Sequence, residues 1–279
     1  MLTISNAQAP TSTFRAMTKV EEELSTADQQ GGADDADALA RSYGAPVPPP
    51  KQGHFLLRFW QSAVGKKWLM ALSGIVLLGF VLVHMIGNLK VFLGKDHINT
   101  YGEWLRTLGE PALPRTVLLW IVRLVLIGAF VVHIVAAAQL TRMNQKARPV
   151  RYQSKRDYVA ANFASRTMRW TGIIVALFVI FHLLDLTWGS ANPDFVRGDV
   201  YDNMFASFER VPVAIAYIVA MIALSIHLFH GAWSMFQSLG LNNPRWNAWR
   251  RWFAAGFAFV VLVGNVSMPL LITTGAVSK

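Results

Sequence analysis

Apolar residues in this chain collect in blocks of about twenty instead of alternating with polar residues. A helix of about twenty residues, rising 1.5 Å per residue, crosses a hydrocarbon layer of about 30 Å. The pattern therefore predicts an all-α integral membrane protein whose five transmembrane helices form a bundle. The predicted spans are residues 68–89, 116–140, 170–188, 212–236 and 253–273.

Basic residues concentrate in the segments on one side of these spans. The segment before the first span is basic, and the loop between spans two and three has eight basic residues against Asp157 alone. The loop between spans four and five has three arginines and no acid, whereas Asp185–Arg210 has five acids and two arginines. Because basic loops stay in the cytoplasm, we expect a cytoplasmic N-terminus and a C-terminus outside.

Composition separates the N-terminal segment from the rest. Residues 1–50 are polar and end in three prolines, so we expect a flexible extension, followed by an anchor domain at residues 51–279. The net charge of +10 lies mainly in the cytoplasmic loops, which argues against nucleic-acid binding. The chain has no cysteine, so cysteine-ligated iron–sulfur clusters must belong to partner subunits.

Histidines within the spans are the main candidates for chemistry. Ionisable groups inside a bilayer are costly and usually face the bundle interior with a partner or a functional role. Five of the seven histidines fall inside the predicted spans: His84, His133, His182, His227 and His230.

Counting residues from the span ends sorts these histidines into two layers. At 1.5 Å per residue, His84 lies about 24 Å and His182 about 18 Å from the cytoplasmic boundary. The same count puts His133 about 10 Å, and His227 and His230 about 14 and 9 Å, from that boundary. The sequence thus predicts an outer pair, His84 with His182, and an inner pair of His133 with His227 or His230.

Two imidazoles that face each other across a bundle can fill both axial positions of a haem iron. His227 and His230 lie on one helix face, so one can bind iron while the other hydrogen-bonds a propionate or a quinone. A different iron centre, or histidines with a structural role only, are the alternatives.

At these residues the chain resembles the five-helix, single-chain, di-haem cytochrome b membrane anchor of succinate dehydrogenases and fumarate reductases. The resemblance covers about residues 55–273. Its motifs are Ser73-Gly74 through His84-Met85-Ile86-Gly87-Asn88, Ala147-Arg148-Pro149, Ser165-Arg166-Thr167-Met168 leading to His182, and His227-Leu228-Phe229-His230-Gly231 leading to Phe236-Gln237-Ser238-Leu239-Gly240.

The resemblance implies two haems b, a distal one bound by His84 and His182 and a proximal one bound by His133 and His227. It implies a complex II anchor in a bacterial plasma membrane. Partner subunits, a flavoprotein with FAD and an iron–sulfur protein, pass electrons from succinate through the chain to menaquinone or ubiquinone. A histidine-ligated iron–sulfur centre in one layer is the alternative cofactor.

Two clusters are candidates for the quinone site, which needs a hydrogen-bond donor beside an apolar slot near the interface. The cytoplasmic cluster is Ser165, Arg166, Arg169 and Trp246, and the outer one is Asn99, Tyr101, Trp104 and Arg106.

Two other functions share some of these features. A stand-alone transmembrane cytochrome b reductase would show the same histidine layers without partner subunits. A proton-coupled transporter would use the histidines as a proton relay. Such proteins often show internal repeats and broken helices, and neither is clear in this sequence.

Overall fold

The computed structural model of the protein describes residues 54–147, 163–241 and 243–279, without the side chains of residues 56, 163–166 and 246. The predicted extension at residues 1–50 lies outside these ranges. The described residues form helices and no strand. The helices are α1 (Phe55–Gln61), α2 (Ala63–Asn88), α3 (Lys95–Thr107), α4 (Val117–Lys146), α5 (Phe163–Leu186), α6 (Val200–Phe208), α7 (Val211–Ser238) and α8 (Asn247–Thr273).

Five of these helices, α2, α4, α5, α7 and α8, are long and apolar enough to cross a membrane. The all-α membrane fold with five spanning helices is therefore confirmed. Most helix ends lie beyond the predicted spans, although α5 ends at Leu186, two residues before its predicted end. The first apolar helical stretch runs over Ala63–Leu93 instead of 68–89. The reason is local: Ser62 caps the start of α2 by accepting a hydrogen bond from the Gly65 amide at 2.9 Å, before the apolar block begins. The orientation of the termini stays a prediction.

The spanning helices pack as two pairs. Helix α4 lies against α2, and α5 lies against α7, while α2 and α7 contact each other between the pairs. Helix α8 packs along α7 and also touches α2, where Gly264 leaves no room for a Cβ against the thioether of Met85. Small residues allow this close approach of helices in membranes. The histidine-bearing helices α2, α4, α5 and α7 thus form the four-helix core.

A small cap closes one end of this core. It consists of the 3₁₀ turn Leu89–Leu93, α3 and α6, and its buried side chains include Val91, Ile98 and Phe205. The Asn99 side chain accepts hydrogen bonds from the Val200 and Tyr201 amides at 2.9 and 3.1 Å, which joins α3 to the start of α6. We call this the cap end of the bundle.

An ion cluster on the cap should make its stability depend on pH. The Lys95 ammonium lies 2.6 Å from carboxylate oxygens of both Asp199 and Asp202. Burial raises the pKa of Asp199, but hydrogen bonds from Lys95 and Asn99 outweigh it and bring that pKa well below its usual range. The hydrogen bonds of Lys95 to Asp199 and Asp202 raise the pKa of Lys95.

A lowered carboxyl pKa stabilises the fold above the unfolded value of about 3.9, and this stabilisation is lost as the pH falls through the folded pKa. We therefore expect wild type to melt at a higher temperature than Asp199→Asn from about pH 5 to 9, with the difference shrinking steadily below about pH 4. Thermal unfolding of both proteins in detergent across this pH range measures the difference in melting temperature. A difference that persists unchanged at the lowest pH would rule out the charge of Asp199 as its source.

Candidate functional site

The histidine pair nearer the cap joins α2 to α5. The ring centres of His84 and His182 lie 5.8 Å apart, with their planes at 89°. Each ring also meets a phenylalanine four residues earlier in its own helix, Phe80 stacked on His84 and Phe178 tilted against His182. The two rings therefore face each other in the interior of the four-helix core.

The second pair joins α4 to α7 nearer the other end of the bundle. The ring centres of His133 and His227 lie 6.2 Å apart, with their planes at 63°. Both side chains come from helices that the core places on opposite sides. The role of the four histidines as iron ligands stays a prediction, but the two facing pairs are present in the geometry.

His230 lies outside these pairs. Its Nε2 is 3.0 Å from the Ser234 hydroxyl on the next turn of α7, and its ring meets Trp233 edge-on at 6.1 Å. Its Nδ1 is buried without a hydrogen-bond partner among the described residues. Of the two histidines that the sequence left as alternatives, the structure brings His227, and not His230, next to His133.

His182 is held by a chain of polar groups that runs toward the cap. The Tyr217 hydroxyl donates to Oδ2 of Asp185 at 2.9 Å and lies 3.4 Å from Nδ1 of His182. The other carboxylate oxygen of Asp185 accepts a 2.6 Å hydrogen bond from Arg210. The single hydroxyl proton of Tyr217 goes to the Asp185 carboxylate, so toward His182 the Tyr217 oxygen can only accept a hydrogen bond. Nδ1 of His182 then carries the hydrogen, and Nε2 is left for a ligand.

His84 differs from His182 in this respect. Its Nε2 lies 3.1 Å from the side-chain amide nitrogen of Asn88, one turn further along α2. Since an amide nitrogen only donates, Nε2 of His84 accepts this hydrogen bond. The His84 ring must turn away from Asn88 before Nε2 can bind a metal opposite His182.

The separations of both pairs match two imidazoles on one metal. A metal–imidazole nitrogen bond is about 2 Å long, so two ligands on opposite sides of one ion have ring centres roughly 6 Å apart. No group of three or more His, Asp or Glu side chains that could hold a metal occurs among the described residues. Each candidate site thus offers two nitrogen donors, which is the number that haem iron takes from a protein in bis-histidine sites.

The outer candidates for the quinone site separate into two groups. Tyr101 and Trp104 stack at 5.8 Å and line an open cleft of about 440 Å³ together with Lys90, whose ammonium lies 5.5 Å from the Tyr101 ring centre. Asn99 instead joins α3 to α6, and Arg106 pairs with Glu103. The structure therefore places the aromatic pair and Lys90, but not Asn99 or Arg106, at this cleft, and the quinone site stays a prediction.

The cytoplasmic candidates are described only in part. Arg169 is exposed on α5 at the end of the bundle opposite the cap. The side chains of Ser165, Arg166 and Trp246 lie outside the described residues, so their part in a quinone site stays a prediction.

Comparison with known protein families finds one match. Residues 141–264 match the profile of the succinate dehydrogenase/fumarate reductase transmembrane subunit. Over this segment the chain is similar to that family. The match supports the resemblance inferred from the sequence motifs.

The matched segment runs from the end of α4 through most of α8. It includes His182, His227 and His230, whereas His84 and His133 precede it. A comparison with curated proteins finds no significant match, and a comparison with solved structures finds none either.

Sequence reasoning missed the side chains that contact the histidines. Tyr217 falls within the predicted span 212–236, and in the sequence Asp185 is only one of the acids of the loop Asp185–Arg210, although the structure buries it fully. Ser73 entered only as part of a motif and Thr171 not at all. A signal was available for the last two, because each is followed by glycine and, ten residues after that glycine, by a histidine.

Proposed function

We propose that the chain is the haem-bearing anchor of a succinate:quinone oxidoreductase, which passes electrons from an iron–sulfur subunit to a quinone in the membrane. The observation that supports this most strongly is the arrangement of two facing histidine pairs at two depths of one bundle. Two sites stacked along the bundle axis suit transfer of electrons through the hydrocarbon layer.

Haem b fits the donor set. His84 with His182 and His133 with His227 would supply the axial nitrogens, and the macrocycle supplies the other four ligands of the iron. When bound, haem provides reversible one-electron storage. The chain itself brings the imidazoles together in pairs within the four-helix core.

The partners follow from what the chain lacks and from its charge. It has no cysteine, so the cysteine-ligated clusters that feed it belong to the iron–sulfur subunit, and FAD belongs to the flavoprotein.

The end opposite the cap carries exposed basic side chains, among them Lys67, Arg169, Arg245 and Arg251. By the distribution of basic loops this end is cytoplasmic, and we assign it as the docking face in a bacterial plasma membrane.

Deletion of the gene in the source organism tests this function. The anchor role predicts that membranes lose succinate–quinone reductase activity, while the soluble fraction keeps succinate-dependent reduction of an artificial dye. A stand-alone cytochrome b would leave both activities on the membrane, and that outcome would contradict the proposal.

The cleft at the cap end is the better described candidate for the quinone headgroup. Its Tyr101–Trp104 wall is aromatic, and Lys90 can donate a hydrogen bond to a quinone carbonyl. Because the His84–His182 pair is the one nearer the cap, electrons would reach this cleft after passing both histidine layers.

Substituting the donor tests the cleft. A hydrogen bond from a charged group contributes about 1.5–3 kcal/mol, so Lys90→Met should raise the KM for quinone about tenfold or more without changing succinate-dependent dye reduction. Arg106→Met is the matched control, because Arg106 is paired with Glu103. The KM of this variant for quinone should stay within about twofold of wild type. Equal effects of the two substitutions would exclude a specific role for Lys90.

A further inference from the structure

The first and third spanning helices carry the same motif. Met70-x-x-Ser73-Gly74 in α2 and Met168-x-x-Thr171-Gly172 in α5 are each followed, ten residues after the glycine, by His84 and His182 respectively. Phenylalanine also recurs four residues before each of these histidines and contacts its ring. The first helices of the hairpins α2–α4 and α5–α7 therefore share this motif, and its matched residues have matched neighbours in the second helices.

In both hairpins the serine or threonine of the motif meets the histidine of the second helix. The Ser73 hydroxyl lies 3.3 Å from Nδ1 of His133, and the Thr171 hydroxyl lies 3.4 Å from Nδ1 of His227. The adjacent backbone takes part as well, since the Met70 carbonyl lies 3.2 Å from Nδ1 of His133 and the Met168 backbone hydrogen-bonds His227.

The motif glycine lets each ring lie against the neighbouring helix. A Cβ on Gly74 would be 3.5 Å from Cε1 of His133, and a Cβ on Gly172 would be 3.4 Å from Cε1 of His227. A side chain longer than alanine at either position would displace the ring. An alanine Cβ would still be at an ordinary contact distance at both positions, so each ring lies directly against the neighbouring helix, with its Nδ1 beside the motif hydroxyl.

The hydroxyl bonds also settle which ring nitrogen carries the proton. Ser73 donates its single proton to the Leu69 carbonyl at 2.7 Å, and Thr171 donates to the Met168 carbonyl at 3.1 Å. Toward the histidine each hydroxyl can then only accept, so Nδ1 of His133 and of His227 carries the hydrogen. Nε2 is left with its lone pair, as a metal ligand requires.

We propose that Ser73 and Thr171 are positioning residues, which hold His133 and His227 as matched Nδ1–H imidazoles with Nε2 available to the iron between them. This inference rests on the proposed haem function. It assigns to the hydroxyls the role that a carboxylate or carbonyl has beside other metal-bound histidines.

The test compares Ser73→Ala and Thr171→Ala with the controls Thr141→Ala and Ser267→Ala. The control hydroxyls also bond carbonyls of their own helices, Thr141 to Ala137 and Ser267 to Gly264. Loss of such a partner typically costs 10–100-fold in metal affinity. Both motif variants should therefore transfer one of two haems to apomyoglobin roughly tenfold or more faster than wild type, and the controls should not.

Electron paramagnetic resonance of the oxidised protein adds a readout that a structural role would not move. The low-spin signal of one haem should shift in both motif variants, while the other signal stays as in wild type. The conservative exchanges Ser73→Thr and Thr171→Ser keep a hydroxyl and should restore the wild-type signal. Ser73→Cys keeps the shape with a weaker acceptor, and it should show the shift even where the alanine variant fails to accumulate.

Two negative results have different meanings. Wild-type protein without haem would overturn the proposed function. Wild-type protein with two haems, and motif variants whose transfer rates and signals match the controls, would overturn only the assignment of Ser73 and Thr171.

Discussion

Replacing His227 with alanine should remove about half of the haem b from the purified protein, whereas replacing His230 with alanine should leave haem content unchanged. The His227 ring faces His133 at a distance that suits two ligands of one iron, while His230 is turned to Ser234 and Trp233. Since both residues lie on α7, three residues apart, each substitution is a control for the other.

Haem content by the pyridine haemochrome method, relative to protein, measures this difference. His182→Ala should also remove about half, and His182→Ala combined with His227→Ala should remove nearly all, because the two histidines belong to different layers. Equal haem loss from His227→Ala and His230→Ala would show that the inner site is not the pair seen here.

The second large effect concerns stability. Arg210→Met should lower the free energy of unfolding by about 3 kcal/mol, because it removes the charged partner of a buried carboxylate and leaves that charge uncompensated. That charge is the carboxylate of Asp185, which is completely buried and whose Oδ1 accepts the 2.6 Å hydrogen bond from Arg210. Unfolding of purified protein in mixed micelles with increasing dodecyl sulfate measures the change.

Two variants sharpen this experiment. Arg115→Met removes an exposed arginine paired with Glu103 at 2.6 Å, and an exposed pair contributes at most about 1 kcal/mol. Arg210→Met combined with Asp185→Leu removes both charges of the pair and should recover most of the lost stability. If Arg210→Met destabilised the protein no more than Arg115→Met, the ion pair would not have the importance that its burial implies.

The spanning helices were predictable because their signal is local. A run of apolar residues long enough to cross the bilayer leaves its backbone no alternative to the helix. Counting residues along those helices was also sufficient to group His84 with His182 by depth. The exact helix ends were not predictable, since caps such as Ser62 extend a helix beyond its apolar block.

The choice of the inner histidine, the partner of the buried carboxylate and the cap depended on the rotation of helices about their axes and on contacts between residues distant in sequence. His227 and His230 both lie close to His133 in depth, one on either side, so the rotation of α7 about its axis shows which of them faces His133. Asp185 follows the apolar block of α5 and looks like a loop acid until Arg210, 25 residues later, is packed against it. The cap depends on Asn99 meeting the start of α6 about a hundred residues away.

The repeated motif is the exception, because its signal was present in the sequence. Ser73-Gly74 and Thr171-Gly172 stand at equal distances before His84 and His182. The repeat was obscured by the variable apolar residues between these positions, which in a membrane helix carry little information beyond their hydrophobicity. Its meaning came from the structure, where both hydroxyls meet the histidine of the following helix.

The most direct test of the anchor function is the haem-to-flavin ratio of the complex isolated through a tag on this chain. We expect a flavoprotein and an iron–sulfur subunit to co-purify, the complex to contain about two haems b per FAD, and succinate to reduce these haems. A chain that purifies without flavin, or a flavin-containing complex without haem b, would contradict it.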